Sequence, residues 1–179
     1  MALNKEQILT LTCLKEVGVK GVGPQKIFSI ARTIEDKGLD IKTFDDLAAV
    51  MSSMKEKAIH SVTLSDLSNA NHCALRIIEA SEASKIGYVG FFDDEFPAIL
   101  RQAINEDGKL DPPLILWYRG DFSITSLPGL AVIGTREATL EGVAGGEFLS
   151  GQFAKRGFNI VSGLAVGCDT CGHKGALKV

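Results

Sequence analysis

No apolar run in this 179-residue chain approaches the ~20 residues that a bilayer-crossing helix needs. The opening stretch, MALNKEQILTL, lacks the charged-then-apolar pattern of a secretory leader. Cysteine is scarce. Cys13, Cys73, Cys168 and Cys171 are too few and too scattered for a disulfide framework, which points to a reducing compartment. A cytoplasmic protein is therefore expected. Positive charge is not in excess either: the net charge of −3 excludes wholesale, nonspecific binding to nucleic acid. Residues 88–118 carry two basic against six acidic side chains, whereas the segments on either side are nearly balanced. Any polyanion site must be local, built from a few cations and backbone N–H groups. What the chain does have is a hydrophobic content of 45%, enough for a folded core.

Residues 1–85 read as a small helical domain. Ile8, Leu9, Leu11 and Leu14 recur at near-helical spacing behind Asn4, a good N-cap. A break at Gly18–Pro24 puts Pro24 at the first position of a second helix, which carries Ile27, Phe28, Ile30, Ala31 and Ile34 and stops at Gly38. Further helices are expected from Thr43–Asp46 and over about 65–85. The character changes at Gly87. Strands are expected at 88–92, in PLILWYRG, in GLAVIG and in FNIVSG, with a helix over about 140–156 that turns Val143, Phe148, Leu149 and Phe153 inward. Near-continuous apolar strands alternating with helices indicate a parallel sheet covered on both faces. The fold expected is α/β, a Rossmann-like parallel sheet over 86–179 behind a small all-α domain over 1–85. About four strands fall short of the usual five or more, so the sheet is expected to be incomplete in this chain.

Two turns carry the chemistry. Ile133-Gly134-Thr135-Arg136, with Thr139 and Gly142 beyond it, joins one strand to a helix; Ser162-Gly163-Leu164-Ala165-Val166-Gly167 does so on the next strand. Both lie at the carboxyl ends of parallel strands, where open α/β sheets bind ligands. Glycines there let backbone N–H groups approach an anion, and the following helix adds the positive end of its dipole. Arg136 offers a bidentate cation, Thr135 and Ser162 offer hydroxyls, and Lys174 follows on the next helix. Such glycines can also serve tight turns alone. Two on successive strands, one with an arginine, favour phosphate. Neither is a Walker A loop, and no G-x-G-x-x-G with an acidic ribose partner is present, so an ordinary nicotinamide-dependent dehydrogenase is excluded.

Three stretches are more specific than this physics. FPAILRQAINEDGKLDPPLILWYRGD, GLAVIGTREATLEG and GFNIVSGLAVGCDTCGHKGAL resemble, in this order and at ordinary spacing, the motifs of the DNA-processing protein A family (DprA, also called Smf). The resemblance covers about 86–179, with a helical module expected in front, of helix–hairpin–helix or SAM-like type. It implies a bacterial protein of the cytosol, without enzymatic activity and without cofactor or metal. Such a protein binds single-stranded DNA and assists loading of a RecA-type recombinase, chiefly in natural transformation. By the same resemblance Arg136 contacts the DNA backbone, Gly134, Ser162 and Gly163 match the phosphate pocket, and a homodimer is implied. The family sheet continues further than this chain, which reads as truncated within the Rossmann-like domain. The family commonly has small or apolar residues where this chain has Cys168, Cys171 and Gly172.

Other patterns admit simpler roles. Gly21-Val22-Gly23, followed by Pro24 and Lys26, is similar to a helix–hairpin–helix turn whose amides grip a DNA phosphate; Gly21, Gly23 and Lys26 form a secondary candidate contact. Cys168-x-x-Cys171-x-His173 suggests zinc or redox chemistry, but no second ligand pair sits at suitable spacing, and free cysteines commonly pack as small hydrophobes. Asp169 and His173, four apart, read as an internal pair bracing the second turn. Trp117 and Tyr118 could stack bases, but alternation puts one of them into the core, and packing is the role expected of Trp117. No catalytic residues are assigned. The main rival reading is a nucleotide-handling enzyme or sensor of phosphoribohydrolase type on a related scaffold; a second is a remnant inactive in binding, whose helical module serves only protein contacts.

Overall fold

Short polar side chains stand before the helices of the N-terminal half, and they act as caps. The computed structural model describes residues 3–179. Asn4 opens α1 (Lys5–Cys13) with a capping box closed by Gln7. Helix α2 (Pro24–Asp36) begins on Pro24, whose missing N–H would have had no helical partner. Thr43 with Asp46 opens α3 (Phe44–Ser52), and Thr63 with Asp66 opens α5 (Leu64–Ala83). Between them lies a single turn, α4 (Lys57–His60), too short to leave a periodic signal. The helices bury one continuous core that includes Ile8, Leu11, Leu14, Ile27, Ile30, Ile34, Leu47, Met51, Ile59 and Leu67. Each such side chain contributes about 2 kcal/mol by leaving water.

The chain divides into two compact units, Met1–Gly120 and Asp121–Val179. The helical character ends near residue 85, but the first unit runs on to 120. Strands β1 (Gly87–Gly90) and β2 (Ile115–Tyr118) belong to it, and Phe92, Leu114 and Ile115 join the helical core. These two strands pair with each other, antiparallel, from Gly87↔Tyr118 to Gly90↔Ile115. The single parallel sheet expected from the apolar runs is therefore corrected to two separate two-stranded sheets. The reason lies in the connection. Residues 91–114 contain only a 3-10 turn at Leu100–Gln102 and a small bridge, Ile104↔Leu110. Without a crossover helix the chain folds back antiparallel.

In the second unit a 3-10 turn (Phe122–Ser126) precedes β3 (Gly129–Ala131), α6 (Leu140–Ala154), β4 (Asn159–Val161) and α7 (Cys168–Ala176). Strands β3 and β4 are parallel, with Leu130 opposite Ile160. This is one βαβ unit followed by a helix. The inward face expected of α6 is not the one it uses against α7. Phe148 and Leu149 are 65% and 56% exposed, and Val143 and Phe153 are half-buried, whereas Ser150 and Gly151 are buried. Small residues win because the two helices approach backbone to backbone: a side chain on Gly175 would collide with the Glu147 carbonyl.

Candidate anion-binding site at the βα turns

The ends of β3 and β4 are locked together before either chain turns away. Val132 N–H donates to the Val161 carbonyl at 2.9 Å, and Ser162 Oγ donates to the Val132 carbonyl at 2.6 Å. A third bond joins the turns themselves: Cys168 N–H, at the start of α7, donates to the Thr135 carbonyl at 3.1 Å. Gly134, Thr135, Arg136, Ser162, Gly163 and Gly167 are thereby brought into one locality.

The glycines here are required by space. Gly167 has φ +86 and lies against the Thr135 and Arg136 carbonyls, where no side chain fits. Gly134 lies under Cys168, and a Cβ there would come within 2.6 Å of the Cys168 Sγ. Leu164 holds φ +61 without being glycine and is 80% exposed, so local strain is stored at the tip of the second turn. The buried Asp169 braces that turn by accepting from Ala165 N–H at 3.3 Å, and Thr170 Oγ1 donates to the Ala165 carbonyl at 2.7 Å. The Asp169–His173 pair expected from their spacing is corrected: Asp169 turns to the loop backbone, and His173 Nε2 is buried without a hydrogen-bond partner.

What remains open to a ligand is mostly main chain. The amides of Gly134, Arg136, Gly163 and Leu164 make no hydrogen bond among the described residues. The exposed Arg136 guanidinium likewise engages no partner among them. Thr135 Oγ1 accepts from Glu137 N–H at 3.1 Å, which leaves its hydroxyl hydrogen to donate. Thr139 is the N-cap of α6, its Oγ1 accepting from Gly142 N–H at 3.1 Å. Ser162 directs its hydroxyl inward to Val132, so its part is to hold the turns in register. Lys174 lies six residues along α7 from Cys168, about 9 Å of helix rise. There it adds to the field of Lys178, whose hydrogen bond holds the Glu147 carboxyl below its ordinary range. The arrangement can hold a tetrahedral oxyanion by N–H donors, one arginine and the N-terminus of α6.

The secondary candidate lies in the first unit. Gly21 has φ +84, Val22 between the two glycines is buried, and Gly23 is the N-cap of α2, its carbonyl accepting from Lys26 and Ile27. Lys26 Nζ sits 4.0 Å from Glu56, and Gln25 Nε2 donates to the Leu110 carbonyl at 2.8 Å. The packing expected of Trp117 is corrected: alternation on β2 leaves it 42% exposed, against the Tyr88 ring at 5.2 Å. Among the described residues no group of three or more His, Cys, Asp or Glu is placed to hold a metal ion, and no helix is long and apolar enough to cross a membrane.

The family described as DNA recombination-mediator protein A matches residues 87–179. Protein Smf of Synechocystis is 27% identical over 165 residues, covering 90% of this chain and 39% of that protein. DNA processing protein DprA of Streptococcus pneumoniae is 31% identical over 99 residues, 55% of this chain and 33% of that one. The X-ray structure of the Streptococcus pneumoniae DNA processing protein A superposes with a TM-score of 0.62 at 24% identity, covering 99% of this chain and 55% of that one. The mixed α/β fold is therefore the one seen in that structure. The chain spans 33–39% of the length of these two sequence relatives.

Proposed function

The chain belongs to the DNA recombination-mediator protein A family, and from that premise we propose that its second unit binds the phosphates of single-stranded DNA at the turns after β3 and β4. The observation that carries this reading is the pair of cross-braced turns, with unpaired amides and an unpartnered Arg136 beside the N-terminus of α6. A phosphodiester fits such a site because amide donors and one guanidinium recognise charge and shape without reading bases. The net charge of −3 fits too, since binding is confined to a placed pocket.

The protein acts in the cytoplasm and without catalysis, presenting bound strand to a RecA-type recombinase, and a second copy of the chain extends the tract of strand that is covered. Transformation and recombination are the processes this serves. Gly21, Gly23 and Lys26 supply a further phosphate contact in the first unit.

Titration of labelled oligo-dT at several salt concentrations tests the site. Arg136→Ala is expected to weaken binding about tenfold and to reduce the salt slope by about one phosphate equivalent. Equal binding by both proteins would remove Arg136 from the site. Absence of binding at low salt, together with base release from a nucleoside monophosphate, would replace this reading with a phosphoribohydrolase-type enzyme.

A further inference from the structure

Phosphate binding gives no role to the two sulfurs at the start of α7. Cys168 is the first residue of the helix and Cys171 the fourth. Helical rise and radius put their Cα atoms about 5 Å apart, inside the roughly 4.4–6.8 Å that a disulfide spans. Both thiols are free in the structure. Cys168 is half-buried with its Sγ packed on Gly134, whereas Cys171 is buried and donates through Sγ to the Gly167 carbonyl at 3.1 Å. Each sulfur therefore touches one of the two glycine turns.

We propose that Cys168 and Cys171 are a dithiol–disulfide pair whose oxidation loosens both turns of the anion site. The effect on DNA rests on the function proposed above; the disulfide itself does not.

The chemistry is thiol–disulfide exchange with a low-molecular-weight disulfide such as oxidised glutathione. Cys168, the accessible member, attacks as thiolate. The S–S bond of the reagent breaks, one glutathione leaves as thiolate, and a Cys168–glutathione bond forms. Cys171 then gives up its proton and attacks Cys168 Sγ. The internal S–S bond forms and the second glutathione leaves. Two protein thiols are oxidised, one external disulfide is reduced to two thiols, and the two protons pass to the released thiolates or to water. To form the bond Cys171 must leave the Gly167 carbonyl and Cys168 must leave Gly134. The first unit offers a contrast, since Cys13 is buried and hydrogen-bonded to Cys73, which keeps its thiol protonated and slow to react.

The reduced full chain should be equilibrated in glutathione buffers, quenched with an alkylating agent, and analysed by peptide mass spectrometry. The expected product is an internal Cys168–Cys171 disulfide, formed ahead of any product at Cys13. Cys171→Ala should instead accumulate the glutathione adduct on Cys168. Amide resonances of Gly134 and Gly167 should move on oxidation, and oligo-dT affinity should fall about tenfold and recover on reduction. Failure of the disulfide to form, or its formation with both amides and the affinity unchanged, would overturn the proposal. If neither form binds oligo-dT, the DNA reading fails, and the peptide masses and amide shifts alone decide the dithiol.

Discussion

Cys13 lies in the core of the first unit, and burial, with a hydrogen bond to Cys73, pushes its ionisation from an ordinary 9.0 up to about 12. A thiol that holds its proton more tightly when folded stabilises the fold fully below pH 9. That contribution is lost progressively as pH rises from about 9 towards 12, because there the unfolded chain binds fewer protons. The urea midpoint is expected to fall across this range, and to fall less steeply in Cys13→Ala; parallel curves would remove Cys13 as the cause. At this scale the sequence was legible wherever the interaction is local. Asn4, Thr43 and Pro24 stand next to the helices they start. The partners of Ser162 and Cys168 lie some 30 residues away across the turns, so spacing marked both residues but not their roles. Thr139 and Ser162 both read as phosphate ligands from the sequence; Thr139 Oγ1 accepts from Gly142 N–H, and Ser162 Oγ donates to the Val132 carbonyl.

Helix α6 shows where element-level reading misled. Hydrophobicity selected Phe148 and Leu149 as the packed side, yet the contact with α7 runs through Gly146, Ser150 and Gly151 against Cys171 and Gly175. Close backbone approach leaves no room for large side chains, a constraint that an apolar count cannot register. The consequence is testable by chemical denaturation. Gly175→Ala is expected to destabilise by about 2 kcal/mol through overpacking on the Glu147 carbonyl, whereas Phe148→Ser should stay within about 0.5 kcal/mol. The reverse ranking would restore the apolar face. Strands were legible in position but not in partner. An apolar run specifies burial, and the length and helicity of the connection specify direction, as residues 91–114 illustrate for β1 and β2.

Across the whole molecule, buried apolar side chains concentrate in Met1–Gly120, while among the described residues of Asp121–Val179 the buried hydrophobics are Ile160 and Cys171. Unequal cores imply unequal stabilities, and the single tryptophan, Trp117, reports only on the first unit. Urea unfolding is therefore expected to be non-coincident by two probes, with far-UV circular dichroism changing before Trp117 fluorescence. Coincident curves would show the units melting as one. The boundary between helical and mixed composition was visible near residue 85. Unit membership was not, because Leu114 and Ile115 reach the helical core from a distant part of the chain.

The cross-brace between Ser162 and Val132 has one more consequence. With that hydroxyl turned inward and Asp169 accepting from Ala165, what the turns offer an oxyanion is the Arg136 guanidinium and unpaired main-chain N–H groups. Such donors hold a doubly charged oxyanion more strongly than a singly charged one. Internal phosphodiesters, which shed their proton in strong acid, should bind with an affinity that is flat across neutral pH. A terminal monoester, whose second proton leaves near pH 6, should gain affinity between about pH 5 and 7. Measured with a 5′-phosphorylated and an unphosphorylated oligonucleotide, that difference would show a site tuned to the charge state of its ligand by the main chain.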